Sequence, residues 1–228
     1  MEVKEDQSSI ITKNFVEDGI GYIELLGVFG DDLTVVNAAR VSLQKESTVL
    51  NDQDRRLIRY LASHEHLSPF YHPQLRFRIK MPIFVAREWY RHTIGFARNE
   101  VSRRYVSTEP ECWIPGSLRE KSQSIKQGSG VEEVDKSDSL RLQIQSFVEQ
   151  GTQLYSQLLE DNVAPELART ILPQSMYTEF IETGSLYAYI RLVNLRTSSD
   201  AQAEIRSYAT LIHGFLYQNF PASFVAFF

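Results

Sequence analysis

Cysteine is nearly missing from this chain of 228 residues: the single thiol, Cys112, excludes an internal disulfide and any metal site built on several thiolates. Long apolar runs are missing as well. No stretch approaches the ~20 apolar residues that span a bilayer. Met1–Asn14 is polar, without the apolar core of a signal peptide. Positive charge is in deficit, with 24 Lys+Arg against 29 Asp+Glu and a formal net charge of −5. A protein of that sign does not hold nucleic acid by bulk electrostatics. The five histidines include no His-x-x-x-His spacing, so no metal is expected. What these absences leave is a soluble, cytoplasmic protein with neither membrane nor nucleic acid as a partner.

The apolar content, 43% of the residues, suffices for one good core. Residues 1–14 are expected to form a loose leader. Gly19–Gly30 is expected to contain a buried strand through Tyr22, Ile23, Leu25, Leu26 and Val28. Asp31 and Asp32 offer an N-cap for a helix over Leu33–Val41, and Leu57, Ile58 and Leu61 set a second helix over Asp52–His64. His66–His72 is a turn. Leu75, Phe77 and Ile79 then alternate with Arg76, Arg78 and Lys80, the pattern of a strand with one wet face. Pro82 suits a first helical turn, so Ile83–Thr93 is expected to be helical. From Gly116 to Ser137 the composition turns to Ser, Gly, Lys and Glu, which predicts a mobile loop. The remainder is expected to be helical over Leu140–Glu160, Pro165–Leu172, Met176–Leu195 and from Ser199 or Asp200 to Gln218. Early strands and late helices predict one α+β domain: a small, mostly antiparallel sheet packed on helices, with a helical C-terminal half.

Against its acidic balance the chain gathers four arginines, a histidine, an asparagine, a glutamate and a serine between Arg91 and Tyr105. Guanidinium groups pair bidentately with phosphate and never lose their charge, so this density suits a ligand with several negative charges. The alternative is a solvated, salt-bridged segment. The order Arg91-His92-Thr93, a spacer, then Asn99-Glu100-Val101-Ser102-Arg103-Arg104-Tyr105 resembles the signature of the flavin-dependent thymidylate synthases. The resemblance extends to Ala38-Ala39-Arg40-Val41-Ser42, His64-Glu65-His66-Leu67-Ser68-Pro69-Phe70, Phe84–Tyr90, Ala168–Pro173 and Asn194-Leu195-Arg196, covering about Gly19 to Phe224.

The resemblance implies a homotetramer whose active sites are shared between subunits. In such an enzyme FAD takes hydride from NADPH, methylene-tetrahydrofolate donates a one-carbon unit, and dUMP becomes dTMP. By position, Glu88, Arg91, Glu100, Ser102, Arg103, Arg104, Arg169 and Arg196 fall to dUMP. Ser42, His66, Ser68, His92, Thr93, Ile94, Arg98, Asn99, Glu100 and Arg191 fall to FAD. Arg196 and His66 are the expected catalytic residues. A fixed cation beside the pyrimidine carbonyl stabilises the charge that develops when C5 becomes nucleophilic, worth roughly 3 kcal/mol per good donor. Without the resemblance, His66 reads as a loop residue and Arg169 and Arg196 as partners in surface ion pairs. Ser102 has no visible base and reads as a phosphate donor, while Cys112, before Trp113-Ile114-Pro115, reads as packing.

The chain departs from the family in several places, among them the later helix, where Ser185, Tyr187 and Arg191 stand where some members carry Asn and Arg toward FAD. Thr93 stands where an arginine completes the Arg-His-Arg triplet, the spacer before Asn99 is one residue longer, and Asp200 stands where some members carry histidine. Arg98 is expected to supply the missing charge toward FAD. Two alternatives accompany the synthase expectation: hydroxymethylation of dUMP by the same flavin and folate chemistry, and a non-catalytic nucleotide-binding protein.

Overall fold

The computed structural model describes residues 13–106, 108–122 and 129–228. The alternation at Leu75–Lys80 produces a nine-residue strand, β3 (Gln74–Pro82), at the middle of the molecule. Leu75, Phe77, Ile79 and Met81 are buried. Arg78 and Lys80, on the opposite face, pair with Glu24 at 2.7 Å and Glu111 at 2.5 Å. Beside β3 lie β2 (Tyr22–Phe29) and, at the near edge, β1 (Lys13–Phe15). On the other side lie β7 (Tyr177–Ser185) and, as the far edge strand, β4 (Phe96–Glu100). Every pairing in this five-stranded sheet, ordered β1-β2-β3-β7-β4, is antiparallel. The fold is a single α+β domain.

Helices cover the inner face. α1 (Asp32–Arg40) starts at a capping box in which Asp31 accepts from the Thr34 amide, and α2 (Asp52–Ser63) starts at an equivalent box built on Asn51. The buried Asp54 of that second box pairs with Arg40 at 2.6 Å, joining the two helices. α3 (Ile83–Trp89) follows β3 directly, starting after Pro82. α4 (Ser137–Glu160) and the single-turn α5 (Pro165–Ala168) lead into β7. α6 (Leu186–Arg196) and α7 (Ala203–Asn219) pack against each other, and α8 (Pro221–Phe227) closes over α2. The buried Asp32 carboxylate caps α8, accepting from the amides of Ala222 at 2.8 Å and Ser223 at 2.9 Å. No described helix is long and apolar enough to cross a membrane.

Several sequence-based boundaries change. The helix expected over Met176–Leu195 is a strand followed by a helix. Glu182 is fully buried while its neighbour Ile181 is 41% exposed, so polarity is inverted along β7 and its period of two is hidden. The expected loop over 116–137 carries a two-stranded hairpin, β5 (Arg119–Lys121) with β6 (Ser129–Glu133). Arg119 docks that hairpin on Glu204 of α7 at 2.5 Å, and residues 123–128 of the expected loop lie outside the described residues. Of the expected leader, Lys13 and Asn14 belong to β1, and residues 1–12 lie outside the described residues. The helix expected to reach Thr93 ends at Trp89, and the last long helix starts at Ala203.

Candidate active site

Arg91 and His92 follow α3 in a turn that reverses the chain into β4. Gly95 makes the reversal possible: its φ of +81° lies in the left-handed region, and its carbonyl accepts from the Ser185 amide at 3.0 Å. Glu88, near the end of α3, and Arg196, the last residue of α6, meet beside this turn. Arg196 pairs with the Glu88 carboxylate through Nη1 and donates from Nε to His92 Nε2 at 2.9 Å. An accepting Nε2 places the ring proton on Nδ1. Burial, then the positive charges of Arg196, Arg98 and Arg191, push His92 down to about 4. The imidazole is therefore neutral at pH 7, and the guanidinium is held between one anionic and one neutral acceptor.

The expected residues separate into groups. Glu88, His92 and Arg196 share hydrogen bonds, and Arg191, on α6, acts electrostatically on His92. Glu100, at the end of β4, accepts from the Thr178 hydroxyl at 2.5 Å. Thr93, Ile94 and Asn99 are exposed on the same turn and strand. Ser102 and Arg104 lie just beyond β4, where Ser102 Oγ accepts from the Arg104 amide at 3.4 Å, and Arg103 donates to the Thr108 carbonyl at 2.5 Å. Ser42, His66, Ser68 and Arg169 are exposed. Among the described residues no hydrogen bond or ion pair joins any of these four to the Arg196 cluster. His66 instead sets its ring edge-on to Tyr60, with centroids 6.0 Å apart.

Arg98, expected to supply charge toward FAD, has a protein partner. Its guanidinium turns inward and pairs through Nε with Glu182, leaving its side chain 16% exposed. Glu182 was not foreseen, because the segment carrying it was expected to be a helix with no special position for a glutamate. A signal was present in retrospect: Tyr177-Thr178-Glu179-Phe180-Ile181 is rich in β-branched and aromatic residues.

An anionic group fits this donor set. Arg91, Arg104, Arg169 and Arg191 are exposed and have no carboxylate partner among the described residues. In a protein of net charge −5, where acids outnumber bases, guanidiniums left without a carboxylate suit phosphate or pyrophosphate.

The family model for the thymidylate synthase complementing protein matches residues 24–222. The flavin-dependent thymidylate synthase of Kosmotoga olearia is 41% identical over 209 residues, covering 91% of this chain and 90% of that protein. Its counterpart in Thermosipho melanesiensis is 38% identical over 208 residues, with the same coverage of 91% and 90%. Among solved structures, the UMP/dUMP methylase PolB from Streptomyces cacaoi bound with 5-Br dUMP superposes with a TM-score of 0.81 at 30% identity, covering 90% of this chain and 93% of that one. The same methylase bound with 5-Br UMP gives 0.79 at 30% identity. With the signature residues gathered on one turn and strand, and relatives matched along nearly their whole length, the chain belongs to the flavin-dependent thymidylate synthase family.

Proposed function

We propose that this enzyme converts dUMP to dTMP by reductive methylation, with methylene-tetrahydrofolate as carbon donor and NADPH as reductant. The observation that carries the proposal is Arg196 held by Glu88 and His92, a cation fixed at the mouth of an arginine-lined turn. A guanidinium oriented before substrate arrives stabilises charge developing on a pyrimidine carbonyl without reorganising during the reaction. In this role Arg196 faces the pyrimidine, Glu88 and His92 fix its plane, and Arg91, Ser102, Arg103, Arg104 and Arg169 hold the phosphate. Bound FAD supplies the hydride carrier. His92, Thr93, Ile94 and Asn99 on the turn, with Ser42, His66, Ser68, Glu100 and Arg191, would hold it. No protein nucleophile is required; Cys112, the lone thiol, is pushed up to about 11 by burial and stays protonated at neutral pH.

Shared sites in a homotetramer form part of the proposal. Its support is that, among the described residues, Ser102 and Arg104 make no hydrogen bond or ion pair with the Arg196 cluster of their own chain, which leaves their donors to face a neighbour's. Mass spectrometry of products from dUMP, methylene-tetrahydrofolate, NADPH and added FAD tests the function. A gain of one methyl group supports it. A hydroxymethyl product or unchanged dUMP would overturn it, the latter in favour of a binding protein.

A further inference from the structure

Glu182 lies on the inner face of the sheet and is the one glutamate among the described residues at 0% exposure. Its carboxylate accepts from the Trp89 indole Nε1, 3.2 Å from each oxygen, and pairs with Arg98. Arg98 and Glu182 are directly opposite in the β4–β7 register. The guanidinium also lies over the ring of Phe96 at 4.8 Å and that of Tyr90 at 5.5 Å. One buried carboxylate therefore grips the chain on both sides of the turn over 90–95: Trp89, the last residue of α3, and Arg98, the third residue of β4. The edge strand β4 has backbone pairing on one side only, so a side-chain tie across the register fixes it where a second strand cannot. A charge pair at this depth is weak evidence for stability, since apolar residues of similar volume often serve as well or better. Its use as a register device is better attested.

We propose that Glu182 is a positioning residue for the anion-binding turn, and that Arg98 acts on this turn through Glu182 instead of touching the cofactor. The proposal rests on the flavin reading above, but its sign is its own. If Arg98 bound FAD directly, removing the charge of Glu182 would free a guanidinium for the ligand, and affinity would hold or rise. If the pair is a clasp, removing either partner lets the turn drift, and affinity falls.

The test is FAD affinity of folded protein, confirmed folded by near-ultraviolet circular dichroism, for Glu182→Gln, Arg98→Met and the double variant Arg98→Met/Glu182→Leu. A Trp113→Phe background leaves Trp89 as the sole tryptophan, so its emission reports the clasp directly. Each single variant should weaken FAD binding by about tenfold, and the apolar double variant should recover to within about threefold of the parent, because contacting residues are non-additive. Trp89 emission should shift in Glu182→Gln and Arg98→Met. Unchanged or tighter FAD binding in Glu182→Gln with loss in Arg98→Met would overturn the proposal, as would a double variant as weak as Arg98→Met. If the parent protein binds no FAD, the flavin reading fails by itself. The same variants titrated with dUMP then decide the clasp by the same pattern.

Discussion

Arg196 is defined by what holds it. A lone arginine at a helix end would sweep through several rotamers, whereas this one is fixed by Glu88 on one side and His92 on the other. Arg196→Ala should lower turnover by about 10²–10³-fold, the loss typical of one preorganised donor. FAD affinity, read by flavin fluorescence, should change by less than about threefold on the same grounds. Equal losses in both would assign Arg196 to scaffolding. His92 makes a second prediction. Its folded value, about 4, lies below the ordinary 6.5, so the native state resists protonation. The associated stability is fully present above 6.5 and is lost as pH falls from there toward about 4. Histidine side-chain nitrogen NMR should therefore show a neutral ring with its proton on Nδ1 down to about pH 5. Arg196→Met should raise the midpoint toward 6.5, since it removes the positive charge whose effect on the ring is second only to burial. A midpoint unmoved in that variant would separate the two side chains.

At the scale of elements, β4 and β7 decide whether the signature residues become a site. Their close approach depends on Gly184, which lies opposite Phe96. A Cβ there would come within 2.6 Å of the Phe96 ring and 2.8 Å of Tyr189. Gly184→Ala should cost about 1–3 kcal/mol through overpacking and accelerate hydrogen exchange at the amides of β4. The control is Gly27→Ala, where the nearest atom to a new Cβ is 3.9 Å away. Similar losses in the two variants would remove the special role of Gly184. Legibility in the sequence follows the same division. β3 was legible because Leu75, Phe77 and Ile79 alternate with basic residues, and α1 because Asp31 stands before it as a cap. β7 was not, because its inward positions include a glutamate and its outward positions an isoleucine. Burial of that glutamate requires Arg98 and Trp89, 84 and 93 residues away, which no local pattern can announce. The segment from Arg91 to Tyr105 was legible as a concentration of donors in one stretch of chain. The inward turn of Arg98 was not, since it depends on the same distant partner.

At the scale of the molecule, α4 lines up Leu140, Phe147 and Leu154 at seven-residue spacing on one face, 39%, 67% and 46% exposed, an apolar stripe suited to a neighbouring subunit. Light scattering on a size-exclusion column should give four times the 26.3 kDa chain mass, and Phe147→Glu should shift the population toward smaller species. A monomer at all concentrations would sink the shared-site proposal. The strand order has a further consequence, in time. β3 and β4 never pair with each other; β7 lies between them, and it is made from residues that leave the ribosome about 80 residues after β4. Until then the nascent chain holds a slot with an unpaired edge on one side and a detached arginine strand on the other, an invitation to wrong pairing. Ligand capture thus waits for one late strand, and a chain stalled before Tyr177 would carry every residue of the Arg91–Tyr105 signature and no site.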